Sequence, residues 1–153
     1  MFMSNLKAKE YENFENIKII REDGTEYWSA RELSKILEYK KWENFDKVID
    51  KALLSCKNSG ENVEDNFTEI TKITIVGATK KEIIDYELSR YASYLIIQNC
   101  NPENKRIALL QTYFATQTQR QMSTKLIENL FKISQSKERI NNLKKERKIK
   151  YGK

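Results

Sequence analysis

The sequence predicts an α+β domain in which two small β-hairpins pack with about four helices, followed by a basic helical extension. Helical periodicity from Trp28 to Cys56, hairpin features around Gly24 and Gly77, and the lack of glycine and proline between Pro102 and Gly152 support this class. We expect a flexible lead-in over residues 1–13, the α+β domain over 14–122 and a basic amphipathic helical tail over 123–153.

The lead-in is polar with scattered apolar residues, so we expect a frayed segment or a short helix near Leu6 to Phe14. Next, β-forming residues flank the tetrapeptide Glu22 to Thr25, which contains Asp23-Gly24. An Asp-Gly pair between such residues is a strong hairpin signal. The first hairpin therefore precedes the first helix of the domain.

That helix is predicted to begin near Ala30. Ser29 precedes an apolar-periodic run and Glu32 follows three residues later, the pattern of a reciprocal capping box. The apolar stripe contains Ala30, Leu33, Ile36 and Leu37. After a joint at Tyr39 to Lys41, a second helix runs from Trp42 to Cys56 and ends at Asn58 to Gly60. Trp42 and Phe45 are expected to be buried against the first helix.

A second hairpin is predicted between residues 67 and 86. Thr71, Ile73 and Ile75 alternate with Lys72 and Thr74, Gly77 to Lys80 forms the turn, and Glu82 to Tyr86 returns. The short basic tip resembles a wing, although a solvated turn has the same composition.

Two further helices are predicted toward the C-terminus. The first has an apolar stripe of Leu88, Tyr91, Leu95 and Ile96. Pro102 then suits the first position of a new helix capped by Asn101. That helix continues through Ile107, Leu110 and Phe114, and either extends through Gln121 or breaks near Ser123-Thr124.

Charge is unevenly distributed. The chain carries 28 Lys and Arg against 22 Asp and Glu. Residues 1–122 have a net charge of −1, whereas residues 123–153 have +7. A neutral domain with a basic tail is therefore expected, and the tail is the part that attracts a polyanion.

Residue types limit the possible chemistry. The chain has no histidine and only two cysteines, so histidine-dependent nucleophiles and the usual structural zinc sites are excluded. Cys56 and Cys100 are expected to be buried free thiols in a reducing cytoplasm, and no apolar run suits a membrane span or a signal peptide. We expect no enzyme activity, catalytic residue, metal or cofactor.

A carboxylate-dependent nuclease is the enzymatic alternative. Glu69 and Lys72 fall on opposite faces of a strand, which does not suit a shared site. The pairs Asp85 with Glu87 and Asp46 with Asp50 share a face, but such pairs are also common on solvated surfaces.

The candidate nucleic-acid or partner-binding residues form four groups. They are Arg31, Lys40 and Lys41 at the joint; Lys80 and Lys81 at the hairpin tip; Arg90, Tyr94, Gln117 and Arg120 in a polar set; and Lys144, Lys145, Arg147, Lys148 and Lys150 in the tail. Tyr91, Tyr113 and Phe114 are expected to pack in the core rather than to stack on bases. The tail also places Leu126, Leu130, Ile133 and Ile140 on an apolar seam, which predicts a homodimer.

Two long blocks carry a resemblance to a known family. They are YWSARELSKILEYKKWENFDKVIDKALLSCKNSG (27–60) and DYELSRYASYLIIQNCNPENKRIALLQTYFATQTQRQ (85–121), with the hairpin between them. In this order they resemble the DNA-damage-inducible protein D family and its Bro-type N-terminal domain. Family members generally continue well beyond this point, whereas this sequence ends at Lys153, so we expect that it lacks the family's C-terminal region.

The resemblance implies a non-enzymatic regulator of DNA transactions in the SOS response and in DNA repair. It further implies binding to single- or double-stranded DNA and interference with the RecA recombinase filament. A phage-type antirepressor, or another sequence-specific DNA-binding module, is the alternative that the same domain implies.

Overall fold

The computed structural model describes the backbone of residues 2–151 and the side chains of residues 9–150. The chain divides into two compact units, Met1–Phe114 and Ala115–Lys153. The division lies within the last helix, and each unit is described by itself.

The elements confirm the α+β class. In chain order they are α1 (Phe2–Asn16), β1 (Ile19–Ile20), β2 (Glu26–Ser29), α2 (Ala30–Ile36), α3 (Trp42–Asn58), α4 (Val63–Asn66), β3 (Phe67–Val76), β4 (Thr79–Leu88), α5 (Arg90–Gln98) and α6 (Lys105–Tyr151). The helix α1 is longer than the short helix expected near Leu6 to Phe14.

Both predicted hairpins form, and they belong to one antiparallel sheet with the strand order β1-β2-β4-β3. The two hairpins are joined because β2 pairs with β4, with Trp28 opposite Leu88 and Ser29 opposite Glu87. The second hairpin is longer than predicted, since β4 runs from Thr79 to Leu88 rather than from Glu82 to Tyr86. Only Gly77 and Ala78 form the turn, and Gly77 has φ 64°.

Helix α2 begins as predicted. The Oγ atom of Ser29 accepts a hydrogen bond from the Glu32 N–H at 3.3 Å. The Glu32 carboxylate pairs with Lys35. Glu38 follows the helix with φ 64°, a left-handed conformation that commonly ends helices. Helix α3 starts at Trp42 and ends at Asn58, as predicted.

Two helix predictions are wrong in detail. Leu88 is the last residue of β4 rather than part of a helical stripe, and Tyr91 is exposed. The buried residues of α5 are Ala92, Ser93, Ile96 and Ile97. Leu88 is paired in the sheet, and the helix starts only after the Ser89 cap. Pro102 does not begin a helix. Asn104 accepts hydrogen bonds from the N–H groups of Arg106 and Ile107, so α6 begins three residues later at Lys105.

The core of the first unit lies where the sheet meets α1, α2, α3, α5 and the start of α6. Trp28 is fully buried, stacks on Phe14 at 4.7 Å between ring centroids and donates its Nε1–H to the Phe14 carbonyl. Phe45 is fully buried, as predicted, whereas Trp42 is half-buried. Ile107, Leu110 and Phe114 are buried, and Cys56 and Cys100 are buried free thiols, all as predicted.

The second unit is the remainder of α6, from Ala115 onward. The helix is continuous through Tyr151, so there is no break at Ser123-Thr124. All side chains from residue 118 to residue 150 are exposed. Within the described part of the chain, no helix has the length and apolar character that crossing a membrane requires.

Candidate nucleic-acid interface

The α2–α3 joint presents two exposed lysines. Lys40 and Lys41 lie between the helices, and both side chains are exposed. Arg31 is placed differently. Its Nε–H donates to the Ile84 carbonyl at 2.9 Å, and its guanidinium lies over the Trp42 ring at 3.9 Å from the centroid. Arg31 thus joins α2, α3 and β4, whereas the two lysines are directed to solvent.

Asp85 anchors the long hairpin to the start of α2. Its carboxylate is fully buried. One oxygen accepts from the Ser29 hydroxyl at 2.6 Å and from the Lys72 ammonium at 2.5 Å. The other accepts from the backbone N–H groups of Arg31 and Tyr86, at 3.0 and 2.8 Å. All these donors point at a negative charge, so the carboxylate is held ionised.

The pKa of Asp85 shows the balance of these effects. Burial by itself raises the pKa, and the hydrogen bonds from Lys72, Ser29, Arg31 and Tyr86 outweigh it. The pKa of Asp85 therefore lies below its ordinary value. A carboxylate so completely surrounded by protein donors positions the hairpin, and it has little capacity left for a metal ion or a substrate.

The hairpin tip carries the two basic residues that the sequence predicts there. Lys80 and Lys81 are exposed and, being adjacent in β4, point to opposite faces of the hairpin. Lys81 lies opposite Thr74 and Lys80 opposite Ile75. The tip thus offers one cation on each face.

Acidic side chains lie beside the base of the hairpin. Burial raises the pKa of Asp46, and the negative charges of Asp50 and Glu69 raise it further. Burial also raises the pKa of Tyr86, with contributions from the same three carboxylates. Three carboxylates therefore lie near Tyr86, and the positive charge of Arg31 partly offsets their effect at Asp46.

Arg90 belongs to an ion-pair network within the first unit. Its guanidinium donates to both carboxylate oxygens of Glu15 and, through Nε at 2.8 Å, to Glu26. It also lies over the Trp28 ring at 4.9 Å from the centroid. The hydrogen bond from Arg90 lowers the pKa of Glu15 to about 2. Arg90 therefore fastens α1 to β2 and α5, with its donors directed to these carboxylates.

Two of the aromatic residues expected in the core pack there: Phe114 is buried, and Tyr113 stacks on Tyr11 at 4.7 Å. Tyr94, which belongs to the polar candidate set, also packs, since it is half-buried and stacks on Phe114 at 4.2 Å. Tyr91 is 40% exposed, so the prediction that it packs in the core is wrong.

The second unit carries six of the twelve basic candidates and all of the chain's net positive charge. Residues 115–153 contain 11 Lys and Arg against 3 Asp and Glu, whereas residues 1–114 contain 17 against 19. Gln117 is half-buried and Arg120 is exposed. The tail group is exposed: Lys144, Lys145, Arg147, Lys148 and Lys150.

Sequence reasoning missed the role of Asp85. Ser29 and Asp85 are 56 positions apart, and Lys72 and Asp85 are 13 apart on paired strands. No local pattern signals such a contact. The sequence did contain one indication: Asp85 lies between Ile84 and Tyr86 in a predicted strand, and Ser29 lies at a predicted helix start. The described residues contain no group of three or more His, Cys, Asp or Glu side chains arranged to hold a metal.

The fold and the distribution of charge define a class: a small α+β domain with a projecting hairpin, continued by a strongly basic helix. The comparison with protein families identifies it further. The family model described as "BRO family, N-terminal domain" matches residues 16–115. The chain therefore belongs to the BRO family through its N-terminal domain, which confirms the resemblance drawn from the two sequence blocks.

A curated relative agrees with this assignment. The chain is 45% identical over 112 residues to a protein of Escherichia coli (strain K12) named DNA damage-inducible protein D. The alignment covers 72% of this chain and 41% of the relative, so the chain spans less than half of that protein's length. No solved structure matches the chain.

Proposed function

We propose that the chain is a non-enzymatic, cytoplasmic regulator of DNA transactions that binds nucleic acid chiefly through its basic helix. The observation that carries the proposal is the concentration of charge in residues 115–153, which sum to +8 beside −2 for residues 1–114. Clustered exposed cations release counterions from a phosphate backbone and bind it without regard to sequence. The family, and a relative named for induction by DNA damage, support DNA as the polyanion.

The first unit contributes orientation in this proposal. Lys40 and Lys41 at the joint and Lys80 and Lys81 at the tip are exposed, and phosphate contacts of this kind fix a protein's register on DNA. Arg31 and Arg90 are not part of the proposed surface, because their guanidinium groups are directed to partners within the domain.

Two further partners complete the proposal. One is the RecA recombinase filament, which we propose because the relative is named for induction by DNA damage. The other is a second copy of this chain. The phage-type antirepressor is the alternative function, and a discrete footprint on duplex DNA would favour it.

A nuclease is the less favoured alternative. Its test would be metal-dependent loss of a plasmid substrate. Asp85→Asn does not test it cleanly, because the Asp85 carboxylate anchors the fold. Asp46→Asn and Asp50→Asn are better probes, since Asp46 is half-buried and Asp50 is exposed.

The experiment on DNA uses the full chain with Lys144, Lys145, Arg147, Lys148 and Lys150 all changed to glutamine. Binding of single- and double-stranded oligonucleotides is measured over a salt series. We expect the logarithmic salt slope to become shallower by about 0.7 to 0.9 for each phosphate that the variant no longer neutralises. The matched control changes Lys9, Lys35, Lys47, Lys51 and Lys57, five exposed lysines of the first unit, in the same way.

The control variant removes an equal charge and should keep the slope. If both variants lower the salt slope equally, the tail contributes only through its overall charge and is not a distinct binding surface. Unchanged affinity and slope in the tail variant would refute the proposal that the basic helix binds nucleic acid.

A further inference from the structure

The outer half of the long hairpin exposes apolar residues on an open strand edge. Strand β3 is the last strand of the sheet, and within the described residues no strand pairs with its outer side. Ile73, Ile75 and Val76 of this strand are 68%, 72% and 62% exposed. Exposed β-branched residues along an unpaired edge form a template for another strand.

This edge lacks the usual protection against pairing. Its register with β4 is unbroken from Phe67 opposite Leu88 to Val76 opposite Thr79, so no bulge twists the edge away. The strand FTEITKITIV contains no proline. Its one lysine, Lys72, is drawn to the buried Asp85 by an ion pair at 2.5 Å. The edge is therefore suited to strand addition.

We propose that β3 pairs antiparallel with β3 of a second copy, so that two sheets join into one across a two-fold axis. The inference rests on the proposed function, which includes a second copy of this chain as a partner. It specifies which surface the two copies share. The strand is self-complementary in one register. With Ile73 opposite its twin, Thr71 faces Ile75, Ile70 faces Val76 and Lys72 faces Thr74 of the other copy.

Neighbouring registers fit less well. Centring the axis on Lys72 places two lysines opposite each other, which destabilises cross-strand pairs. Centring it on Thr71 sets Ile73 against Glu69 and Ile70 against Lys72. Centring it on Thr74 sets Lys72 against Val76. Of these four registers, only the one centred on Ile73 avoids both like charges and charges opposite apolar residues.

The apolar seam of α6 is a weaker surface for a second copy. Lys137 and Lys144 follow Leu126 by 11 and 18 residues, about three and five helical turns, so both fall on the stripe of Leu126 and Ile133. Parallel pairing of two such helices would bring like charges together in the seam.

The test compares the oligomeric state of the full chain and of two variants by sedimentation over a concentration series. Ile73→Lys changes the proposed edge, and Ile140→Lys changes the helix seam at a similarly exposed residue, 52% against 68%. We expect Ile73→Lys to weaken dimerisation about tenfold or more, because each copy then sets a cation opposite its twin. Ile140→Lys should leave it unchanged.

Cysteine crosslinking tests the register independently. Cys56 and Cys100 are buried, so an introduced thiol is the accessible one. Ile73→Cys should form a disulfide dimer under mild oxidation, because opposed strand residues lie within disulfide range. Glu82→Cys, which lies opposite Ile73 within the same hairpin, should not.

A monomer at every concentration, dissociation by Ile140→Lys alone, or equal crosslinking at positions 73 and 82 would each overturn the inference. DNA binding by the five-residue tail variant is a separate measurement, so failure of the strand pairing is distinguishable from failure of the DNA proposal.

Discussion

Replacing Asp85 by alanine should destabilise the first unit strongly. The carboxylate is fully buried and accepts four hydrogen bonds. The Lys72 side chain is 45% exposed and can turn to water, and the Ser29 hydroxyl can rotate. The N–H groups of Arg31 and Tyr86 have no such freedom. Each stranded buried donor costs about 1–3 kcal/mol, so we expect Asp85→Ala to lower the free energy of unfolding by about 3–5 kcal/mol.

Urea denaturation followed by tryptophan fluorescence measures this loss, because both tryptophans, Trp28 and Trp42, lie in the first unit. The matched control is Lys72→Met, which removes one donor and leaves the other three on the carboxylate, so it should cost about 1.5–3 kcal/mol, less than Asp85→Ala. Asp85→Asn should fall between the two, since its amide keeps one acceptor oxygen. If Asp85→Ala costs no more than Lys72→Met, the carboxylate is not the anchor we describe.

Three other outcomes are expected. Phe45→Ala should lower the free energy of unfolding by about 3–5 kcal/mol, as for other buried phenylalanines, and a loss below about 1 kcal/mol would show that the core lies elsewhere. The pKa of Glu15 is about 2 in the folded chain against 4.5 ordinarily, so its stabilisation is complete above pH 4.5 and is lost as pH falls toward 2. In a pH series of urea titrations, Glu15→Gln should reduce the loss of stability between pH 4.5 and 2. An unchanged loss would show that Glu15 is not its source. Changing Lys40 and Lys41 to glutamine should alter stability by less than about 0.5 kcal/mol, whereas Arg90→Gln should cost more than about 1 kcal/mol; equal losses in thermal melts would refute the distinction.

Local chemistry in the sequence was sufficient to predict much of the fold. The Ser29 cap, the Asp23-Gly24 turn and the helical period from Trp42 all act within a few residues, so their structural effect can be deduced from spacing. The pairing of β2 with β4 was not predictable in this way, because it joins residues 60 positions apart. The start of α6 was misplaced because Asn101 and Asn104 are both suitable caps, and proline favoured the wrong one.

The candidate site was also predictable only in part. Residue type identified the basic side chains, but their availability depends on partners brought in by the fold. Arg31 and Arg90 are engaged within the domain, whereas Lys40 and Lys41 are exposed. Arginine has a planar fork of donors that suits fixed carboxylate and carbonyl partners, and lysine more easily remains solvated. Among the candidates of the first unit, the two arginines are therefore engaged and the four lysines are exposed.

The anchor at Asp85 bears on how a nucleic acid would be oriented. Asp85 ties β4 to α2, and Arg31 ties α2 to both β4 and Trp42 of α3, so contacts connect the joint to the base of the hairpin. The tip lies about six residues beyond the anchor, or roughly 20 Å at the rise of a strand. In the proposed function, the basic helix supplies most of the affinity for DNA. The connected joint and hairpin determine the orientation of the domain on DNA. Loss of the anchor should therefore disturb orientation on DNA before it changes the salt dependence of binding, because that dependence reflects how many phosphates are neutralised and not their geometry.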